Sequence, residues 1–186
     1  MINIPDDLPD MLCIDPGPVR SGYVIIEGGT VFRTDTEANS HIINAGYNPG
    51  TVVIEWCNSM GRPVGQDVFH TCREIGRMQQ AFIEYRDRYY KDEAPAEVHL
   101  IQRNEVKLIL TGRSVGINDA VIRQRLIDLF PATGGGKVPQ IGTKAERGPL
   151  YNVTGHAWQA LAAGVAWAMK KKTKGISAGD KLIGLP

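Results

Sequence analysis

The stretch Met11-Leu-Cys-Ile-Asp-Pro-Gly-Pro-Val-Arg-Ser-Gly-Tyr-Val-Ile-Ile-Glu27 holds two apolar, β-prone runs, residues 11–16 and 22–27. Between them Gly17-Pro18-Val19-Arg20-Ser21 is turn-rich, so the pair reads as a β-hairpin. Gly28-Gly29 then turns the chain into a third strand, Thr30–Arg33. Asp15 closes the first run just before Pro-Gly. Taken alone, a carboxylate there is an ordinary turn residue accepting from local backbone amides.

Working outward, Thr51–Trp56 (TVVIEW) is a continuous β-branched run, the pattern of a strand buried on both faces. Glu55 lies inside it. A lone ionised carboxylate in such a strand costs several kcal/mol unless it is paired or bound to metal. Two carboxylates at the ends of adjacent central strands, Asp15 and Glu55, are the hard oxygen ligands that Mg²⁺ takes, held on rigid elements.

The remainder supplies the layers. Val64–Arg88 has helical spacing, with Val68, Cys72, Ile75, Met78, Gln79 and Phe82 near one stripe and Arg73, Glu74 and Arg77 on other faces. Val98–Ile101 reads as a short strand. Arg103–Leu110 and Asn118–Phe130 read as helices, the second stopped by Pro131. Ala132–Pro149, rich in Gly, Pro and Lys, reads as a mobile loop. Gly155–Lys172 is a last helix with an apolar face at Trp158, Leu161, Ala162, Val165 and Met169, and its Lys170-Lys171-Lys172 end suits the negative end of a helix dipole. The expected class is α/β, a mixed central sheet flanked by helices, as one domain over 1–174 with a disordered tail over 175–186.

Composition is that of an ordinary globular protein: 186 residues, 42 % hydrophobic, 22 % charged and net charge +1. No apolar run reaches the roughly 20 residues of a membrane span, and the acidic start MINIPDDLPD lacks the order of a signal peptide. These features predict an intracellular protein with no membrane partner. Cys13, Cys57 and Cys72 have no metal-ligand spacing and are expected to be reduced thiols. With so little net charge, any nucleic-acid surface must come from local clustering.

Four ordered blocks resemble the RuvC-type Holliday-junction resolvases of the RNase H-like superfamily. MLCIDPGPVRSGYVII (11–26) looks like the first motif, an apolar strand ending Ile-Asp-Pro-Gly, and VVIEW (52–56) like the strand that delivers a glutamate. RNEVKLILTGRSVGINDAVIRQRLIDLF (103–130) resembles the third block, and GHAWQALAAGVAWAM (155–169) the last, an Ala-rich helix whose first turn carries metal ligands. Each block alone is weak evidence; the ordered set spans nearly the whole chain. GQDVFHTCREIGRM, NDAVIRQRLIDLFP and GPLYNVTGHAW are similar to a phage-borne branch.

The resemblance implies an RNase H-like fold and a structure-selective endonuclease that resolves four-way DNA junctions by symmetric, metal-dependent nicking. One or two Mg²⁺ or Mn²⁺ ions would activate water and stabilise the leaving oxygen. It implies Asp15 as a bridging metal ligand and Glu55 as a second. In the last helix the chain departs from the pattern, with His156 and Gln159 where many relatives carry two aspartates. His156 then becomes a candidate ligand or base, and Asp119 a candidate substitute carboxylate, against its plain reading as an acid at a helix N-terminus. Asn118 stands where many relatives carry lysine. Lys107 matches the lysine of the third block. With Arg103, Arg113, Arg123, Lys137, Lys144 and Arg147 it makes a candidate DNA-contacting surface, whose plainer reading is a solvated charged face. Phe69 and Met60 are candidate wedges into a junction, or core packing.

A two-fold-symmetric junction implies a homodimer, acting without a helicase partner in a bacterial cytoplasm. Three other readings stay open. One is a nuclease for flaps or forks, another a catalytically inactive junction-binding protein, and the third a ribonuclease acting on RNA–DNA hybrids.

Overall fold

A computed structural model describes residues 8–45, 50–57, 63–89 and 96–180. The strands are β1 (Met11–Asp15), β2 (Arg20–Glu27), β3 (Thr30–Ala38), β4 (Thr51–Trp56) and β5 (Glu97–Gln102). The helices are α1 (Asn39–Asn44), α2 (Gln66–Tyr89), α3 (Arg103–Thr111), α4 (Asp119–Leu129) and α5 (Ala157–Asp180). All strands join one sheet in the order β3-β2-β1-β4-β5. The hairpin edge β1–β2–β3 is antiparallel, while β4 and β5 run parallel to β1.

Both faces of this sheet are covered, which explains why β1 and β4 read as unbroken apolar runs. Side chains alternate along a strand. Met11 and Cys13, Val24 and Ile26, Val53 and Ile101 therefore face one layer, made by α3, α4 and α5. Leu12 and Ile14, Tyr23 and Ile25, Val52 and Ile54 face the other, where Ile42 of α1 and Ile75, Met78 and Phe82 of α2 pack. Each such side chain, fully buried, contributes about 1.5–3 kcal/mol.

Small residues let α5 lie close on the sheet. Ala160, Ala162, Ala163 and Ala166 are buried, and a Cβ on Gly164 would fall 2.2 Å from the Cys13 sulfur. The helix continues to Asp180, beyond Lys174, where the sequence predicts the folded domain to stop; residues 181–186 lie outside the described set. No helix among the described residues is long and apolar enough to cross a membrane.

Four readings change. β3 runs five residues past Arg33, because Thr34–Ala38 keep pairing with Arg20–Val24 despite their polarity. α1 was not expected; it is a single short helix without a side-chain cap. Glu74, expected on an outer face of α2, is buried, with Arg73 and Arg77 folded over it at 3.2 and 3.0 Å. The segment 132–149, expected to be mobile, is an internally bonded knot. Gly134 N–H donates to Pro139 O (2.8 Å), Gly135 N–H to Glu146 O (2.9 Å), Gly148 N–H to Ile141 O (3.0 Å) and Leu150 N–H to Gln140 O (2.8 Å). Its glycines serve close approach rather than looseness: a Cβ on Gly148 would strike Pro139 O at 2.2 Å.

Candidate active site

Register places the two central carboxylates together. Ile14 pairs with Ile54 across β1 and β4, so Asp15 and Glu55 are the next residues on neighbouring parallel strands. By alternation both lie on the α5 side of the sheet, at the carboxyl ends of the strands, where open α/β sheets commonly form their crevices.

The opposite wall comes from helix beginnings. Asn118 caps α4, its side chain accepting from Val121 N–H, so Asp119 is the first helical residue. His156 immediately precedes α5 and lies over Gly22, the residue opposite Asp15 on β2. A Cβ on Gly22 would approach the His156 backbone carbon to 2.5 Å, so the loop reaches Asp15 only because position 22 has no side chain.

Two linked contacts tie the walls together. His156 Nδ1 is 2.9 Å from Asp15 Oδ2, and His156 is itself 72 % exposed. With Asp15 ionised, Nδ1 carries the proton and donates it, leaving Nε2 as the acceptor. Arg103, the first residue of α3, donates from Nη1 to Glu55 Oε2 at 3.0 Å and from Nη2 to Asp119 Oδ1. Asp119 also accepts from Gln159 Nε2 at 3.1 Å, while Gln159 Oε1 is buried with no hydrogen-bond partner among the described residues.

Electrostatics follow from this geometry. Burial pushes the Asp15 carboxyl above the usual range; His156 and Arg103 oppose this, and Asp119 adds to it. Burial pushes Glu55 up to about 7, with Asp15 and Asp119 adding to the rise and Arg103 only partly offsetting it. Burial works against the Arg103 charge, yet Glu55 and Asp119 outweigh it and raise its pKa. With its three carboxylates ionised, the pocket holds more negative charge than Arg103 compensates.

The turn beneath Asp15 has its own support. Ser21 Oγ donates to Asn39 Oδ1 (2.7 Å), Asn39 Nδ2 to Gly17 O (3.0 Å) and Gly17 N–H to Ser21 Oγ (3.2 Å). This closed set fixes Asp15-Pro16-Gly17 against the start of α1.

For a divalent cation, the donor set fits in chemistry: three carboxylates, an orphaned amide oxygen and an imidazole around a surplus of negative charge. It is not a ready cage, since among the described residues no three His, Cys, Asp or Glu side chains converge on one point. Arg103 bridges Glu55 and Asp119, so an entering cation must share those oxygens with the guanidinium or displace it.

The burial of Glu55 has a measurable consequence. The folded Glu55 carboxyl keeps its proton up to about pH 7, while an unfolded one releases it near 4.5. Stability linked to Glu55 is therefore greatest below 4.5 and falls as pH rises through 7. Glu55→Gln is expected to stabilise the metal-free protein at about pH 8 by about 1–3 kcal/mol, and to have little effect near pH 4. Thermal melts in chelator at both pH values check this; a variant less stable at the higher pH contradicts it.

The expected DNA-contacting residues separate. Arg103, its side chain 16 % exposed, is drawn into the site. Lys107 is half-buried on α3. Arg113 is exposed in the α3–α4 turn, and Lys137, Lys144 and Arg147 are exposed on the knot. Arg123 stacks over Trp158 at 4.8 Å, and Arg147 over Tyr151 at 4.8 Å. Arg125 is exposed but donates from Nε to Leu110 O (3.0 Å), tying α4 to the end of α3. Phe69 is 62 % exposed near the start of α2, and Met60 lies outside the described residues. Cys13, Cys57 and Cys72 are free thiols.

Sequence reasoning missed the role of Arg103 as a bridge and of Gln159 as the partner of Asp119. The signal for Arg103 was available: a helix that starts directly after β5 puts its first residue beside the end of β4.

No protein-family model matches the sequence, and comparison with curated proteins finds no match. Solved structures do match. Over 88 % of this chain and 96 % of the other, RuvC of Thermus thermophilus superposes with TM-score 0.59 at 13 % identity. T. thermophilus RuvC in complex with Holliday junction substrate gives TM-score 0.59 at 14 % identity, covering 88 % and 95 %. The yeast mitochondrial Holliday junction resolvase Ydc2 gives 0.50 at 11 %, covering 87 % and 80 %. The chain has a RuvC-like, RNase H-like fold.

Proposed function

We infer that this protein is a structure-selective DNA endonuclease that nicks four-way junctions with the help of Mg²⁺ or Mn²⁺. The observation that carries the reading is the gathering of Asp15, Glu55, Asp119 and His156, from two strand ends and two helix starts, at one edge of a RuvC-like sheet. The structural likeness to a RuvC in complex with Holliday junction substrate and to a protein named as a Holliday junction resolvase supports it.

Asp15, Glu55 and Asp119 would hold the cation, which would supply Lewis-acid stabilisation of charge on phosphate oxygens and a more acidic bound water. The chain's own residues do the rest. Asp15 fixes the ring of His156 through Nδ1, leaving Nε2 as an acceptor that takes a proton from an attacking water. Arg103, released from one carboxylate, has its remaining N–H groups free for a phosphate oxygen. Lys107 and Arg113, with Arg123, Lys137, Lys144 and Arg147, are assigned the backbone contacts that position the branch. Cutting two opposed strands of a two-fold junction calls for a homodimer, and the exposed Phe69 on α2 is the wedge candidate.

The test is one set of labelled substrates at one salt concentration: four-way junction, flap, fork and RNA–DNA hybrid. Preferential paired nicking of the four-way junction is expected. Preference for flaps or forks keeps the chemistry and changes the substrate. Preference for the hybrid overturns the reading.

A further inference from the structure

β3 is the outer strand, bonded among the described residues only to β2, and its pairing with β2 carries a bulge. Ile25 pairs with Arg33 and Ile26 with Val31, so Phe32 is the residue left without a partner. Bulges re-aim the extra side chain and break the regular row of backbone donors and acceptors. Phe32 is accordingly 67 % exposed, an aromatic ring presented to solvent from an edge strand.

That ring stands at a groove of about 670 Å³, away from the carboxylates, between β3 and the knot with its following turn. The far wall includes Arg147, Gly148, Tyr151 and Asn152, and no acidic residue among the described residues lines the groove. The Arg147 guanidinium lies 4.8 Å over the Tyr151 ring. Arg33 also borders the groove, but its guanidinium pairs with Glu37 at 3.2 Å and lies over Tyr23, so Arg147 is the cation this argument uses. The wall is built in advance, because Gly148 N–H and Leu150 N–H are both bonded back across the knot. Asn152, at the groove, is four residues from His156.

We propose that this groove binds an unpaired DNA strand, with a base stacked on Phe32 and a backbone phosphate paired with Arg147. An exposed aromatic beside an arginine, without acids, is the chemistry of a single-strand platform. An added peptide strand suits the edge less well, because the bulge interrupts the ladder it would extend. The proposal deepens the reading of the protein as a DNA enzyme, and rests on it for the identity of the strand as DNA. It places an unpaired stretch of a bound branch in the groove, apart from the carboxylates.

The test is fluorescence anisotropy of a labelled oligothymidylate with the full chain in chelator, where no cleavage interferes. Wild type is expected to bind, Phe32→Ala to bind roughly tenfold more weakly, and Arg147→Ala to show a salt slope shallower by about 0.7. Val115→Ala, at an exposed side chain of the α3–α4 turn, is the control and should bind as wild type does. Melting curves of all three variants should match wild type, since the side chains are exposed. No binding by wild type, or unchanged binding in both groove variants, overturns the proposal. Nicking of a four-way junction in Mg²⁺, measured alongside, fails only if the nuclease reading itself is wrong.

Discussion

Asp15→Asn is expected to lower junction nicking by about three orders of magnitude or more, with junction binding in chelator preserved. The size follows from what one carboxylate contributes to a metal-assisted phosphoryl step, several kcal/mol of transition-state stabilisation at 1.36 kcal/mol per tenfold. Asp15 has two tasks in this site: it is a cation ligand, and it orients His156 through the 2.9 Å contact to Nδ1. Asparagine keeps the shape, loses the charge, and offers Nδ1 only a neutral acceptor. Binding should survive, because the residues assigned to the DNA backbone lie on other elements. Single-turnover nicking with an electrophoretic shift in parallel checks both halves. Nicking within tenfold of wild type would remove Asp15 from the chemistry.

Gly22→Ala is expected to cost about a hundredfold in nicking, although residue 22 bears no functional group. The added Cβ would lie 2.5 Å from the His156 backbone carbon and 2.7 Å from its oxygen. Backbone cannot rotate away as a flexible side chain can, so the segment before α5 must shift. A displacement of about 1 Å in a catalytic group is enough for a loss near 10². Overpacking should also destabilise the fold by about 1–3 kcal/mol, so rates are compared well below the melting temperature of the variant. A readout specific to positioning is the NMR chemical shift of the His156 ring, which should change as its contact with Asp15 is lost. Unchanged nicking and an unchanged His156 ring signal would show that the close approach is incidental.

How much of this was legible in the sequence depends on whether a residue's role is set along the strand or across the fold. β1, β2 and β4 were readable because a sheet covered on both faces demands unbroken apolar runs, and the carboxylates Asp15 and Glu55 stand out against them. The resemblance to resolvases pointed to His156 and Asp119, which the structure brings to the same edge as Asp15 and Glu55. Arg103 looked like one more member of a basic cluster. Its bridging role needs the β4–β5 pairing, in which Glu55 lies opposite Ile101 and two residues from Arg103, and no local pattern encodes that. Gln159 looked like the loss of an aspartate; its amide instead donates to Asp119. Residues 132–149 misled through composition, since glycine signals both looseness and close packing, and here Gly134, Gly142 and Gly148 are packed against one another's backbone. Glu74 was placed outside by helical periodicity, which carries no information about Arg73 and Arg77 closing over it.

The most direct test of the central claim is cleavage of a labelled immobile four-way junction by the purified wild-type protein, with Mg²⁺ and Mn²⁺ titrated separately and chelator as the blank. The account predicts paired nicks at symmetric positions on two opposed strands, appearing with either cation and absent in chelator. Tight binding of the junction with no nick under any cation would contradict it, and would make Arg103 the permanent counter-charge of a site that only binds.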